Sequence, residues 1–512
     1  MRSPFSGLDP RALLRPRRRG IASVNSEVRD GIVPASANLA STARRDDAAS
    51  HSANYRTVAL IIACAMFMEN LDATVLATAL PTMARDFHVR APEMSVALTA
   101  YLLALAMFIP ASGAAADRFG AKHVFRAAIA LFVVGSLACG LSPSLPAMVA
   151  ARFVQGIGGA MMMPVGRLVL LRSVAKRDMV SAMSWLIMPA LIGPIVGPPV
   201  GGFIVTYLDW RWIFWLNLPI GVLGIALVSR FIADIREDSR HRFDVPGFLL
   251  SAVALGCLLF GFELSSRAGT GRIAIGLVLI GAAASWLYLR HARRTDHPVL
   301  DLSLMRVPTF RLSVIGGSLT RITQGAQPFL LPLMMQLCFG LSAAASGAMT
   351  LATAIGSFAM KGVAPPLLRR LGFRTSLIWM GLFGTLAYAA CGLFRPAWPL
   401  SAVFAVMLVS GFLMSFQFTA YNTIAYDEIG KERMSAATSF YSTFQQLMLS
   451  LGICTGATAL HVSMIWRGDG QAAFPDFSAA FFTVTAISLL AVFVNARFHP
   501  QAGAEISGRD GD

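Results

Sequence analysis

The stretch GAAADRFGAKHVFR, residues 113–126, is a short basic segment between two long apolar runs. Each run has the length of a membrane-spanning helix. Gly113 and Gly120 allow the ends of two helices to approach each other closely through a tight turn. Asp117 can pair with basic groups or with a helix N-terminus. The stretch therefore predicts a turn between two transmembrane helices.

The composition extends this interpretation to the whole chain. Of its 512 residues, 55% are hydrophobic and 14% are charged, whereas about 25% are charged in a typical soluble domain. The mean hydropathy is +0.62, and apolar stretches of about twenty residues recur along the chain. These values predict an all-α polytopic membrane protein embedded in the lipid bilayer. They exclude a soluble enzyme and a nucleic-acid binder, because basic loops of a membrane protein account for the net charge of +16.

The apolar runs predict about fourteen membrane spans. Their starts lie near Thr57, Met94, Val124, Pro146, Val180, Trp212, Pro246, Ile273, Leu312, Ala343, Thr375, Leu400, Ala436 and Ser478. Lys and Arg concentrate before the first span and after the even-numbered spans, so we expect both termini on the cytoplasmic side of a bacterial inner membrane. Residues 1–54 lack an apolar segment, which predicts a disordered basic tail rather than a cleaved signal.

The opening stretch also carries a family resemblance. It resembles the G-x-x-x-D-R-x-G-x-K/R loop of the major facilitator superfamily, with matches at Gly113, Asp117, Arg118, Gly120 and Lys122. A degenerate internal copy, PPLLRRLGFR, aligns Gly372 with Gly120 but places Arg369 at the position of Asp117. We expect the first loop to form a gate and the second to form a weaker one, because it lacks the acid.

The fifth predicted span carries GPIVGPPVGG, which resembles the exporter signature of the same superfamily. The matched positions are Gly193, Gly197, Pro198, Gly201 and Gly202. The stretches LDATVLATALP and DWRWIFWLNLPIG are similar to the fourteen-helix drug:proton antiporter branch, the EmrB/QacA/MdtD-like group. This resemblance implies two six-helix bundles plus two additional transmembrane helices. The expected divisions are a tail at 1–54, bundles at 55–235 and 301–498, a two-helix insertion at 236–300, and a cytoplasmic tail at 499–512.

Two acids lie in the first predicted span, within MENLDATVLATALP, residues 68–81. Glu69 falls ~18 Å along the helix, where an ionised acid costs about 2.5–3.5 kcal/mol. Glu69 and Asp72 share one helix face, so we expect them to hold one proton between them. Arg152 or Arg321 would stabilise the remaining charge. We therefore assign proton coupling to Asp72, Glu69 and Arg152. The alternative is that either acid only holds a neighbouring helix in place.

The resemblance implies a central cavity lined by the first, fourth, ninth and twelfth spans. The predicted substrate-binding residues on these spans are Arg321, Gln155, Phe329 and Tyr421. We expect proton-coupled multidrug efflux of small amphipathic molecules by alternating access. An alternative is the export of one metabolite, such as an amino acid or a siderophore-like compound, with Arg321 recognising a carboxylate. A non-transporting sensor is a further alternative, but no appended soluble domain is visible after Phe498.

Motifs for other chemistry are lacking in the sequence. No nucleophile elbow or phosphate loop is present, and the six cysteines show no CxxC spacing or His partners at metal-ligand spacing. We therefore expect no catalytic residues, no metal and no cofactor. Protons and small molecules are the expected partners, and no motif supports a periplasmic adaptor.

Overall fold

The computed structural model describes residues 35–173, 179–232, 243–265, 270–468 and 471–504. Within these ranges the chain forms long helices joined by short turns, as expected where lipid offers no partner for backbone groups. The helices are α1 (Ala35–Asp86), α2 (Ser95–Phe119), α3 (Ala121–Gly140), α4 (Leu145–Ser173), α5 (Met179–Tyr207), α6 (Trp212–Trp215), α7 (Asn217–Phe231), α8 (Val245–Ser265), α9 (Gly271–Ala292), α10 (Pro308–Leu337), α11 (Ala343–Cys391), α12 (Leu400–Ile424), α13 (Met434–Arg467) and α14 (Phe474–Asn495).

The helices agree with a polytopic membrane protein. In the described part of the chain, 11 helices are long and apolar enough to cross a membrane. The 49-residue α11 contains a bend at Gly372, and the predicted span starts near Ala343 and Thr375 lie on either side of it. The sixth predicted span begins with α6 and continues as α7. The number fourteen stays a prediction.

The start of α1 differs from the predicted division of the chain. The helix begins at Ala35, within the segment 1–54 that was expected to be a disordered tail. The sequence ASANLASTARRDDAAS is rich in alanine, the strongest helix former, so the helix extends ahead of its apolar part. Residues 1–34 lie outside the described part of the chain.

Two tight turns have the same backbone geometry. Gly120, between α2 and α3, has a φ of 87°, and Gly372, inside α11, has a φ of 73°. Positive φ is open to glycine because it lacks a Cβ, and is costly for other residues. The aligned glycines of GAAADRFGAKHVFR and PPLLRRLGFR therefore make the same kind of turn, as the internal repeat predicts.

The glycine motif of α5 brings two neighbouring helices close to it. One glycine face lies directly against α1, where the pairs are Gly193 with Asn70, Gly197 with Thr74 and Gly201 with Thr78. A second face lies against the start of α11, where Gly202 approaches the backbone of Ala343 and Gly347 approaches that of Pro198. Any side chain at these glycines would separate the helices, so the motif fixes the position of α1, the helix that carries Glu69 and Asp72.

Hydrogen bonds also join the N-terminal half (α1–α7) to the C-terminal half (α10–α14). The Gln336 amide donates to the backbone carbonyl of Thr78 at 3.0 Å. The backbone N–H of Ala344 donates to the Thr206 hydroxyl at 2.9 Å. These contacts lie where α1, α5 and α10 end and α11 begins, so this end of the two halves is held together.

The predicted two-helix insertion corresponds to α8 and α9, which pack against each other. Helix α8 also contacts α2 and α13, one helix from each half. Its buried Glu263 accepts a hydrogen bond from the Ser95 hydroxyl at 2.9 Å. Helix α8 therefore lies beside the seam between the halves. Residues 233–242 and 266–269, which precede and follow α8 in the sequence, lie outside the described part of the chain.

Candidate functional site

A buried cluster of polar side chains surrounds Asp72 in the N-terminal half. We call it the Asp72 network, and its members are Asp72 (α1), Ser136 (α3), Arg152 and Gln155 (α4) and Asn217 (α7). Arg152 Nη1 lies 2.5 Å from Asp72 Oδ2, and neither side chain is exposed. Gln155 Nε2 and Asn217 Nδ2 both donate to Asp72 Oδ1, at 2.9 and 3.0 Å. Three donors therefore hold this carboxylate, as a buried charge requires.

Arg152 is held by more than its ion pair. Its Nη1 donates to Gln155 Oε1 at 2.6 Å, and its Nε donates to the Ala97 carbonyl of α2 at 3.4 Å. The guanidinium also lies 4.3 Å from the ring centroid of Tyr101. Gly156 lets α2 approach, because a Cβ there would lie 2.6 Å from the Tyr101 carbonyl oxygen. Arg152 is thus a fixed, buried partner of Asp72 and does not reach toward the end of its helix.

Ser136 and Asn217 complete the network, and sequence reasoning gave neither of them a role. Ser136 Oγ accepts from Gln155 Nε2 at 2.7 Å and from Asn217 Nδ2 at 3.1 Å. Asn217 stands in the stretch DWRWIFWLNLPIG, which carried only a family resemblance. A polar amide inside an apolar segment was the available signal, since such residues need a partner.

Glu69 lies one helical turn before Asp72 but does not bond to it. Its side chain is 8% exposed, and Oε2 is buried with no hydrogen-bond partner in the described structure. A proton shared between the two carboxylates was expected, whereas the structure pairs Asp72 with Arg152 instead. The guanidinium supplies a full opposite charge, so it competes better for Asp72 than a second acid does.

Arg321 is a second buried cation and lies in α10. It is 7% exposed, its Nη2 has no hydrogen-bond partner, and no ion pair forms with any described carboxylate. The guanidinium lies 3.9 Å from the ring centroid of Phe418 in α12. Of the two arginines expected to stabilise the acid charge, Arg152 is therefore the one that pairs with Asp72.

The other predicted substrate-binding residues lie in surroundings different from those of Arg321. Phe329 is fully buried among apolar side chains that join the two halves. The Tyr421 hydroxyl donates to Asn495 Oδ1 of α14 at 2.6 Å, and its ring is buried. Gln155 belongs to the Asp72 network. In this conformation the three side chains serve packing and hydrogen bonding within the protein, because none presents a free surface to a ligand.

The predicted gate lies in the turn from α2 to α3. Asp117 and Arg118 are in the last turn of α2, and Gly120 supplies the turn itself. Lys122 Nζ donates to the carbonyl of Ser229, near the end of α7, at 3.0 Å. Gly113 has open space where a Cβ would stand, so close packing in this conformation does not explain its presence.

A cavity of about 600 Å³ opens at the end of the bundle where α1 ends. Side chains of both halves line it, including Arg85, Arg90, Thr206, Gln336 and Gln471. No carboxylate lines it in the described part of the chain. Arg90 pairs with Glu93 at 2.8 Å, so Arg85 gives the cavity wall its uncompensated positive charge.

Comparisons with known proteins agree with this architecture. The sequence profile of the Major Facilitator Superfamily matches residues 62–453. HsrA of Haemophilus influenzae, named as a transport protein, is 35% identical over 450 residues, which cover 88% of this chain and 97% of HsrA. MdtD of Pectobacterium carotovorum, named as a multidrug resistance protein, is 37% identical over 407 residues, covering 79% and 86%. A solved D-xylose–proton symporter shares the fold, with a TM-score of 0.63 at 14% identity over 87% of this chain and 98% of the symporter.

Proposed function

This chain belongs to the major facilitator superfamily, and we propose that it is a proton-coupled multidrug efflux transporter working by alternating access. Its membrane would be the bacterial inner membrane, with both termini in the cytoplasm. The observation that carries the proposal is the contrast between two acids on α1. Asp72 is held by three donors, whereas Glu69, one turn away, is buried with a free carboxyl oxygen.

Glu69 carries the exchangeable proton in this proposal. A buried carboxyl group without a partner is costly in its charged form, and a bound proton removes that cost. Glu69 can lose the proton when a cationic substrate group or water reaches it. Substrate and proton then compete for one site, which is the condition for exchange.

The Asp72 network gives α1 a fixed position relative to α3, α4 and α7. Asp72 contacts side chains from α4 and α7, and Ser136 adds α3. Glu69 is therefore held at one depth while the two halves move. Breaking the Asp72–Arg152 pair would release α1 from its neighbours. A change of protonation on α1 can therefore alter the helix packing by acting through this network.

Alternating access requires one end of the halves to close while the other opens. The contacts from Gln336 to Thr78 and from Ala344 to Thr206 support closure at the extracytoplasmic end. The turns at Gly120 and Gly372 would lie at the cytoplasmic end, where the Asp117 motif acts as the gate. The cationic cavity beside Arg85 would be the exit on the extracytoplasmic side.

Transport by purified protein in liposomes tests this function. We expect an imposed pH gradient to drive accumulation of an amphipathic dye, and we expect Glu69→Gln to abolish the response to the gradient. The same variant should still move the dye down the dye's own concentration gradient, because the helix packing is intact. Glu432→Gln, at an exposed acid in the short segment between α12 and α13, is the control and should transport normally. Unchanged coupling in Glu69→Gln would rule out Glu69 as the proton site.

A further inference from the structure

The cation of Arg321 lies near the midpoint of α10 without a described acidic partner. It is buried, and its Nη2 makes no hydrogen bond in the described structure. Arg152, the other arginine buried in the described part of the chain, also has an Nη2 without a hydrogen bond. It differs from Arg321 in having an acidic partner, Asp72, together with Gln155 and a backbone carbonyl. An unmatched guanidinium at this depth is costly and is typical of a ligand site.

Groups from three helices surround this cation. Phe418 of α12 lies under the guanidinium at 3.9 Å, and 38% of its side chain is exposed. Helix α13 contributes Tyr441 and Gln445, which line a small void together with Arg321 and Ser318 of α10. The void holds about 10 Å³, which is close to the space of one water molecule or one ligand oxygen. The cation–π contact leaves the Nη2 donor unsatisfied.

We propose that Arg321 binds the carboxylate of an amphipathic substrate whose apolar body lies against Phe418. Guanidinium geometry suits a carboxylate, because its planar fork can donate two parallel hydrogen bonds. Ser318 and Tyr441 line the same void, and each carries a hydroxyl group that can act as a further donor to a carboxylate. The exposed ring of Phe418 supplies the apolar surface.

This inference rests on the proposed export function and names its substrate class. The cavity beside Arg85 supports it independently. Its wall carries positive charge and no described carboxylate, so it would attract an anionic group that leaves the binding site. A transporter built only for cations would gain nothing from either feature.

Binding of three probes that share one phenylethyl body tests the proposal. The probes are 3-phenylpropionate (an anion), phenylalanine (a zwitterion) and phenethylammonium (a cation), titrated calorimetrically against the full chain in lipid nanodiscs. We expect Arg321→Gln to weaken both carboxylate probes by about tenfold to a hundredfold, the usual range for a lost charge-assisted contact. The affinity for phenethylammonium should not fall. Arg311→Gln, at an exposed arginine of the same helix, is the matched control.

Two further variants keep the test decisive if the glutamine variant folds poorly. Arg321→Lys keeps the charge but loses the fork, so it should bind the carboxylates with intermediate affinity. Phe418→Leu keeps the charge and removes the ring, so it should weaken all three probes. Equal carboxylate affinity in wild type and the Arg321 variants, or preference of the wild type for phenethylammonium alone, would overturn the proposal.

The outcome also separates this inference from the proposed function. If a pH gradient drives export of cationic dyes while carboxylate binding is independent of Arg321, only the substrate class is wrong. If the gradient drives export of no compound, carboxylates included, the transport function itself fails.

Discussion

The ion pair between Asp72 and Arg152 gives the sharpest quantitative prediction. Its atoms lie 2.5 Å apart, and both side chains are completely buried. Removing one partner of such a pair strands a charge and typically costs 3–5 kcal/mol, on the order of a third of the stability of many proteins. Asp72→Asn and Arg152→Gln should each lower the free energy of unfolding by about this amount, which is a large effect for a single substitution.

In the double variant, the free energy of unfolding should fall by less than the sum of the losses in the two single variants. With both charges absent, only hydrogen bonds are lost, and interhelical hydrogen bonds in membrane proteins are worth about 0.6 to 1.7 kcal/mol each. The coupling free energy between Asp72 and Arg152 should therefore exceed about 2 kcal/mol, equivalent to roughly thirtyfold in the unfolding equilibrium.

Equilibrium unfolding in mixed micelles, followed by tryptophan fluorescence, measures this cycle. The control is the pair Arg90–Glu93, which has a similar distance of 2.8 Å but side chains that are 51% and 28% exposed. Its coupling should stay below about 1 kcal/mol, because solvent screens an exposed pair. Additive losses in the Asp72–Arg152 cycle would refute the argument that complete burial makes the two charges strongly coupled.

Other contacts give three smaller predictions. Asp117→Asn should reduce transport at an unchanged amount of membrane protein, and normal efflux by this variant would exclude a gating role. Gly197→Ala should lower transport and thermal stability because a Cβ would lie 2.9 Å from a carbon of α1, whereas Gly276→Ala, with open space around it, should change neither. Burial raises the pKa of Asp301, but hydrogen bonds led by Ser303 outweigh it and lower the pKa. The Asp301 carboxylate therefore stabilises the protein at pH values above its unfolded-state pKa of about 3.9. The thermal stabilities of wild type and Asp301→Asn should converge as the pH falls below the lowered pKa of the folded state.

The sequence predicted those features of the fold that depend on local patterns of residues. The apolar runs indicated the helices, and the repeat alignment of Gly120 with Gly372 was supported by the positive φ of both residues. It failed to find the pairing of Asn217 with Asp72, since 145 positions separate them and no periodicity relates them. The start of α1 at Ala35 was missed because hydropathy marks the membrane part of a helix and ignores its polar extension.

The division of charges between the halves explains why the candidate functional residues could be predicted only in part from the sequence. Four residues stood out in the sequence as charges within apolar spans: Asp72, Glu69, Arg152 and Arg321. The sequence alone did not decide which of the two bases pairs with which acid. Once Asp72 and Arg152 neutralise each other, one acid and one base remain, Glu69 on α1 and Arg321 on α10. Each is buried and has one atom, Glu69 Oε2 or Arg321 Nη2, that makes no hydrogen bond in the described structure, and the two residues lie in different halves. A transporter that moves its halves relative to each other can use both residues, Glu69 to exchange its proton for a cationic substrate group and Arg321 to bind a substrate carboxylate, because neither is committed to holding the resting fold.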